Sequence, residues 1–459
     1  MKIKFIIEPP LKKGHFSVLK IYAAPNEKEY ETIHIDFYKL YDFTKDNSSI
    51  AFDFLLISLL TYCIDKFVLR KNNSVDGWSR QLEVCFPVLK PVKWNKAKNQ
   101  LEKTLSFLTG DYWNISFEKR KLENLYPNEK IRYNVNRVSY KKDEFQAVSL
   151  FSGGLDSLVG VIDKLEELKP QKGKLLLASH FDGSAGAKSD QERILPFLNK
   201  AYKQKFEHII CGGRLANNAE KTSEPSSRSR SIIFIGIGVY LANNISANMP
   251  LLIPENGTIS LNIPLSPSRR SSCSTRTTHP YFLKSLQETL LILDIHNPLI
   301  NPYLFKTKGE LVAECKNLSL LKKVAFESAS CGKRGRKQYW DNKSSDVRQC
   351  GKCMPCIYRR ASLHKIKMDK ETFGIDIFKS TNFDINSNTG STQDINACLS
   401  FLKKSHSKNE IVRQLVINGP LPGSDLSDYA DIILRTKDEL KRWIASKKNK
   451  RFNIRAGIK

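Results

Sequence analysis

Two short stretches of this 459-residue sequence hold residue types at spacings that could do chemistry. In "LFSGGLDSLVG", residues 150–160, an apolar run gives way to a serine, two glycines and Asp-Ser, and then to a helical pattern. A strand, a glycine-rich turn and a helix make an anion site, because the turn's N–H groups and the positive end of the helix converge on one spot. Gly153 and Gly154 let backbone approach a phosphate, since no Cβ intrudes. Ser152 and Ser157 add hydroxyl donors, and Asp156 is suited to hold a magnesium ion that bridges phosphates. The G-x-x-x-x-G-K-[ST] spacing of a Walker loop is missing. A plain strand-to-helix turn with serine caps is the bland alternative.

In the second stretch, "CGKCMPC", Cys350, Cys353 and Cys356 form C-x2-C-x2-C, and Cys331 upstream supplies a fourth thiolate. Four thiolates suit tetrahedral zinc, and with no position left for water the ion would be structural. The spacing also admits an iron–sulfur cluster, or cysteines without a ligand. The other six cysteines read as core or surface thiols. A third stretch, "SPSRRSSCSTRTTHPYF", is dense in arginines and hydroxyls. Arg270, Arg276, Thr278 and His279 are its candidate substrate contacts, since arginine offers a fork that matches carboxylate or phosphate. An ordinary basic loop is the competing reading, with His279 beside Pro280 at the start of a helix.

The elements that must position these groups can be read from periodicity. "FQAVSLF" reads as a buried strand, and Leu155, Leu158, Val159, Ile162 and Leu165 recur at helical spacing after it. "KLLLASH", "FEHIICG" and "PLLIP" read as further strands, with "QERILPFLNKAY" and "SIIFIGIGVYLANNI" as helices between them. Such alternation predicts an α/β fold with a parallel sheet, whose ligands bind beyond the carboxyl ends of the strands. "SGGLDS", "SHFDGS", "CGGR" and "PENGT" all fall at such ends. Residues 1–143 read as an N-terminal α+β module with strands first and one apolar segment from Ile50 to Ile64. Residues 144–380 read as the ligand-binding domain with a knuckle at 331–356, and residues 381–459 as a small basic helical region.

The chain is 41% hydrophobic and 10% aromatic, enough for buried cores. A formal charge of +27 favours polyanionic partners, nucleic acid among them, although a solvated lysine-rich surface explains it equally. The apolar stretch at the N-terminus is too short for a signal-peptide core, and no run reaches the ~20 residues of a bilayer span. The expectation is a cytoplasmic protein with reduced cysteines and no membrane contact.

The six residues "SGGLDS" resemble the PP-loop of the ATP pyrophosphatases, which cleave ATP between its α and β phosphates. With Cys331, Cys350, Cys353 and Cys356 late in the chain, the sequence resembles the 7-cyano-7-deazaguanine synthase (QueC) family. "TKGE", Thr307 to Glu310, resembles the family's Thr-Lys-Ala-Glu step, and "SRSRSIIFIGIGVYLA", with Arg230, its Pro-Gly-Arg-Asn segment. The likeness covers about 145–365. It implies a Rossmann-like PP-loop fold with ATP, Mg2+ and Zn2+ as cofactors. ATP would be held by Ser152, Gly153, Gly154, Leu155, Asp156, Ser157 and Asp182, with Asp156 on magnesium and Arg230 at the α-phosphate. An ordinary helix-start arginine is the other reading of Arg230.

In that family 7-carboxy-7-deazaguanine is adenylated, captured by ammonia and converted to a nitrile. This sequence departs from it after the second strand, where only Asp182 and Glu192 carry over, and in the substrate-proximal stretch. Together with the extra N-terminal and C-terminal regions, these departures resemble the QueC-like proteins of bacterial anti-phage systems, notably the Qat system. That resemblance implies a defence role beside a co-encoded partner protein, and it leaves room for a homodimer. Two other classes stay open: a PP-loop sulfur transferase acting on tRNA, and a non-catalytic scaffold that binds ATP.

Overall fold

The computed structural model describes the whole chain except residues 11–14, 123, 127–138, 184–186, 217–222, 266–275, 388–389, 391 and 459. Its ten strands are β1 (Lys2–Glu8), β2 (Val18–Ala23), β3 (Tyr30–Asp36), β4 (Gln81–Val88), β5 (Tyr112–Lys119), β6 (Phe145–Leu150), β7 (Lys174–Phe181), β8 (Phe206–Leu215), β9 (Leu251–Leu252) and β10 (Leu299–Ile300). They form one sheet in the order β10-β9-β6-β7-β8-β3-β2-β1-β4-β5. The fold is α/β, and the sheet is mostly parallel. Among these strands, antiparallel pairing occurs only where β8 meets β3, β3 meets β2 and β2 meets β1. Three reversals in a row turn the direction over, so the block β1-β4-β5 runs opposite to the block β10-β9-β6-β7-β8.

Each strand expected between 145 and 253 is present, for the reason that made it legible. Leu175, Leu176 and Leu177 of β7 are fully buried, because a parallel strand covered by helices on both faces reads as continuous apolar sequence. On one face lies the Leu155–Leu168 helix, whose Leu155, Leu158, Val159, Ile162 and Leu165 are all fully buried. Each contributes about 1.5–3 kcal/mol of gross burial energy. The other face carries the Arg230–Ile245 helix, packed against the Ile50–Phe67 helix. Gly236 permits that approach: a Cβ there would stand 2.5 Å from the Ser58 hydroxyl.

The sheet runs on across residue 143. Ile33 and Ile35 of β3 pair with Leu215 and Gly213 of β8, and one apolar core joins Phe54 and Ile57 to Ile233 and Ile237. The C-terminal region is helical, with helices Gln393–Lys403, Lys408–Asn418, Leu426–Ser446 and Lys450–Ala456. The pieces "TQDINACLSFLKK" and "LSDYADIILRTKDELKRWIASKK" read as helices and hold the first and third of these, while the second and fourth were not anticipated from the sequence. The region's core includes Met354, Ile357 and Tyr358 of the knuckle helix, Met354–Lys365. Among the described residues no helix is long and apolar enough to cross a membrane.

Candidate functional site

The turn after β6 is built as its composition demands. Gly153 has φ +78°, and a Cβ on it would lie 3.2 Å from the Gln191 amide nitrogen and 3.3 Å from the Asp190 carbonyl carbon. Only glycine takes that left-handed conformation in that space without strain. Ser152 Oγ lies 3.2 Å from Ser157 Oγ, and Ser157 donates to the Gly154 carbonyl at 3.0 Å. Gly154 N–H donates to Ser152 Oγ at 3.3 Å. Leu155 is buried in the core and anchors the first helical turn.

A cavity of about 520 Å³ opens beside this turn. Its wall includes Ser152, Gly154, Asp156 and Ser157 from the turn, Ser227 from the segment before the Arg230–Ile245 helix, and Arg230 and Phe234 from that helix's first turns. Glu255 follows β9, Lys308 opens the Lys308–Ala313 helix, and Ala329 to Gly332 with Arg334 come from the knuckle. Glycine turn, basic side chains and a partly apolar wall thus meet at the carboxyl ends of the parallel strands, where such folds bind ligands.

Asp156 is the hub. Its Oδ2 accepts from Lys308 Nζ, and its Oδ1 accepts from Asn256 Nδ2 at 3.1 Å. The same amide nitrogen donates to Glu255 Oε1 at 3.2 Å. Burial, with the Asp156 carboxylate beside it, pushes the Glu255 carboxyl well above the usual carboxylate range. Lys308 owes its position to a capping box in which Thr307 and Glu310 satisfy each other's backbone N–H groups. Glu439 of the Leu426–Ser446 helix braces the same turn, accepting from the Thr307 hydroxyl at 2.6 Å and the Gly309 N–H at 3.2 Å. Asp156 thus has an ammonium group on one oxygen and an amide nitrogen on the other, and the Glu255 carboxyl shares that amide.

The knuckle adjoins the cavity. The sulfurs of Cys331, Cys350, Cys353 and Cys356 all lie within 4.8 Å of one another. Zinc–sulfur bonds of about 2.3 Å in tetrahedral array set sulfurs roughly 3.8 Å apart. The Cys350–Cys356 and Cys353–Cys356 separations are 3.7 and 3.4 Å. The four can therefore hold a single metal ion such as zinc. Cys350 N–H and Lys333 N–H donate to the Cys331 sulfur at 3.3 and 3.4 Å, which stabilises a thiolate. Behind the knuckle, fully buried Arg359 pairs with Glu371 and donates to the Ser328 hydroxyl and Ala325 carbonyl.

The other sequence candidates are spread apart. Thr278 lines the cavity and its hydroxyl accepts from Ser260 at 3.3 Å. Arg276 and His279 instead face the Pro91–Thr109 helix. Arg276 sits 4.3 Å over the Phe107 ring and donates to the Phe107 carbonyl at 3.1 Å, with burial drawing its pKa down to about 10. His279 accepts the Tyr281 N–H at 3.2 Å, and burial, with Arg276 nearby, lowers its pKa to about 3. Asp182 accepts from Tyr62 at 2.9 Å. Arg270 lies outside the described residues.

Glu255, Asn256 and Lys308 were not singled out as site residues, although "PENGT" and "TKGE" drew attention to their segments. Arg334, ion-paired with Asp190 at the cavity wall, gave no signal beyond its proximity to Cys331. The chain matches no protein-family model and no curated protein.

Proposed function

We propose that this chain binds ATP in the cavity and uses it to adenylate a carboxylic acid. The observation that carries the reading is that one cavity gathers the Ser152–Ser157 turn, the Asp156–Lys308 pair and Arg230. Adenylation needs those parts. A carboxylate oxygen attacks the α-phosphorus, the bond to the bridging oxygen of the β-phosphate breaks, and pyrophosphate leaves with the electron pair. The turn's amides and the Ser152 and Ser157 hydroxyls hold the phosphates, while Lys308 and Arg230 face the negative charge that builds at the α-phosphate. Positioning and electrostatics do most of such work.

Asp156 would hold Mg2+, which would neutralise phosphate charge. Zinc on the four cysteines is structural, since the protein ligands fill its coordination.

The resemblance to the 7-cyano-7-deazaguanine synthase family makes 7-carboxy-7-deazaguanine the first acid to offer. The adenylate would pass its acyl group to ammonia, or to an amine of a co-encoded partner protein in an anti-phage system, and release AMP. Sulfur transfer is the weaker reading, because it needs a reactive thiolate beyond the metal set. Burial pushes the Cys315 and Cys398 thiols up to about 12 and raises Cys63 and Cys211 as well.

The test is incubation with ATP, Mg2+ and 7-carboxy-7-deazaguanine, followed by mass spectrometry of all products. AMP and pyrophosphate formed only in the presence of an acid support adenylation. ATP bound intact under every condition tested means a binding module. Absence of any ATP binding removes the reading.

A further inference from the structure

The end of the Ile50–Phe67 helix grips the segment that leads into Arg230. Lys66 Nζ donates to the Glu224 carbonyl at 3.0 Å, the Ser226 carbonyl at 2.5 Å and the Ser227 hydroxyl at 2.8 Å. One residue earlier, Asp65 Oδ2 accepts the Ser229 N–H at 3.1 Å and the Ser229 hydroxyl at 2.8 Å. The Glu224 carboxylate returns the contact by accepting the Arg70 N–H at 2.9 Å. One turn back on the same helix, Tyr62 donates to Asp182, the residue that follows β7.

The grip is itself held rigid. Asp65 Oδ1 accepts from Arg80 Nη2 at 2.7 Å, and Arg80 and Arg70 both donate to Asp111. All four of these side chains are buried. Residues 223–229 form neither a helix nor a strand. No regular backbone ladder sets their course: one backbone bond, from the Glu224 N–H to the Lys66 carbonyl at 3.0 Å, ties the start of the segment to the helix, and side-chain hydrogen bonds hold the rest. Two of the cavity's wall residues, Ser227 and Arg230, are carried by this segment and the helix it opens.

We infer that Lys66 and Asp65 are positioning residues for the cavity, so that the N-terminal module builds one wall of the ligand site. Neither residue lines the cavity. Both act through the backbone of residues 224–229, fixing where Ser227 and the Arg230 guanidinium stand. A displacement of about 1 Å at such a group costs on the order of 100-fold in a reaction that depends on alignment. The consequence for ATP rests on the function proposed above. The effect on the segment does not.

The test compares Lys66→Met, Lys66→Arg and Arg230→Met in the full chain. Hydrogen exchange is read at the amides of residues 226–231, and affinity is read with a fluorescent ATP analogue. Lys66→Met is expected to speed exchange at these amides at least 10-fold, leave the Leu155–Leu168 helix protected and weaken the analogue about 10-fold. Lys66→Arg, which keeps the charge and the donors, is expected to restore most of both. In the double variant Lys66→Met/Arg230→Met the affinity loss is expected to match that of Arg230→Met alone, because the two act at one point. Unchanged exchange in Lys66→Met overturns the inference, and so do fully additive affinity losses. Faster exchange in a protein whose wild type binds no analogue supports the grip and removes the ATP reading.

Discussion

The carbonyl of Gly153 accepts the N–H of Ala329 at 2.9 Å, joining the glycine turn to the strand of chain that reaches Cys331 two residues later. The glycine turn and the four-cysteine knuckle are therefore mechanically linked. A metal ion bound at the knuckle would hold the end of the segment on which the turn leans, so its loss is expected to be felt at the turn.

Loss of a thiolate should show this coupling. Cys353→Ser is expected to release one equivalent of bound zinc and to lower Tm by roughly 10 °C or more, because structural zinc contributes directly to folding energy. Nucleotide affinity should fall at temperatures where the variant is still folded. Metal content by mass spectrometry, with a binding titration at 15 °C, checks both.

A methyl group at the turn should be enough to spoil it. Gly153→Ala places a Cβ 3.2 Å from the Gln191 amide nitrogen at a φ of +78°. The left-handed conformation alone costs about 1–2 kcal/mol in a residue with a Cβ. The expected outcome is at least a 10-fold loss of ATP affinity by calorimetry, with Tm lowered by only a few degrees.

Removal of the cation from the Asp156–Lys308 pair should separate chemistry from folding. Lys308→Met leaves Asp156 and Glu255 facing each other with Asn256 alone between them. Release of AMP from ATP is expected to drop at least 100-fold in a variant that still folds, as judged by circular dichroism. Activity near the wild-type level would exclude Lys308 from the reacting centre.

Arg276 is expected to behave as a structural residue. Arg276→Met takes a guanidinium off the Phe107 ring and leaves the Phe107 carbonyl without that donor. Tm should fall, with a stability loss of about 1–3 kcal/mol. KM for ATP and for the acid should stay within about twofold, and a large rise in KM would return Arg276 to the substrate site.

Acid should act through the Asp65 cluster. Burial by itself would raise the Asp65 carboxyl, but Arg80 and Arg70 outweigh it and hold it below its usual value. A depressed carboxyl binds its proton more weakly in the folded chain. Its stabilisation is therefore complete above the unfolded pKa of about 3.9 and is lost as pH falls from there through the folded value. From Asp65, Tm should show no trend between pH 7 and pH 5 and should fall below about pH 4. Asp65→Asn should cost about 3–5 kcal/mol at pH 7, as expected when a buried pair is broken, and should flatten the acid limb.

Much of this is legible in the sequence. The strand, turn and helix from Phe145 to Leu168 could be read because each signal is local: an apolar run, two glycines and a repeat of leucines at helical spacing. The cysteine knuckle could be read because three of its four ligands lie within seven residues of one another. Arg276 and His279 looked like ligand contacts because composition shows what a side chain can do and is silent about where it points. Both turned toward Phe107, which lies far earlier in the chain.

The sequence by itself determined the α/β alternation, the glycine turn and the set of four clustered cysteines, since periodicity, backbone freedom and cysteine spacing are all short-range properties. Tertiary structure alone decided that Lys308 meets Asp156 across 152 residues and that Glu255 shares their corner. It also decided that β3 joins β8 and so merges the N-terminal strands with the sheet that carries the glycine turn. Such contacts depend on the order of strands in the sheet and on helices packing across it. Many sequence positions could satisfy the same hydrophobic pattern, and only the assembled core selects among them.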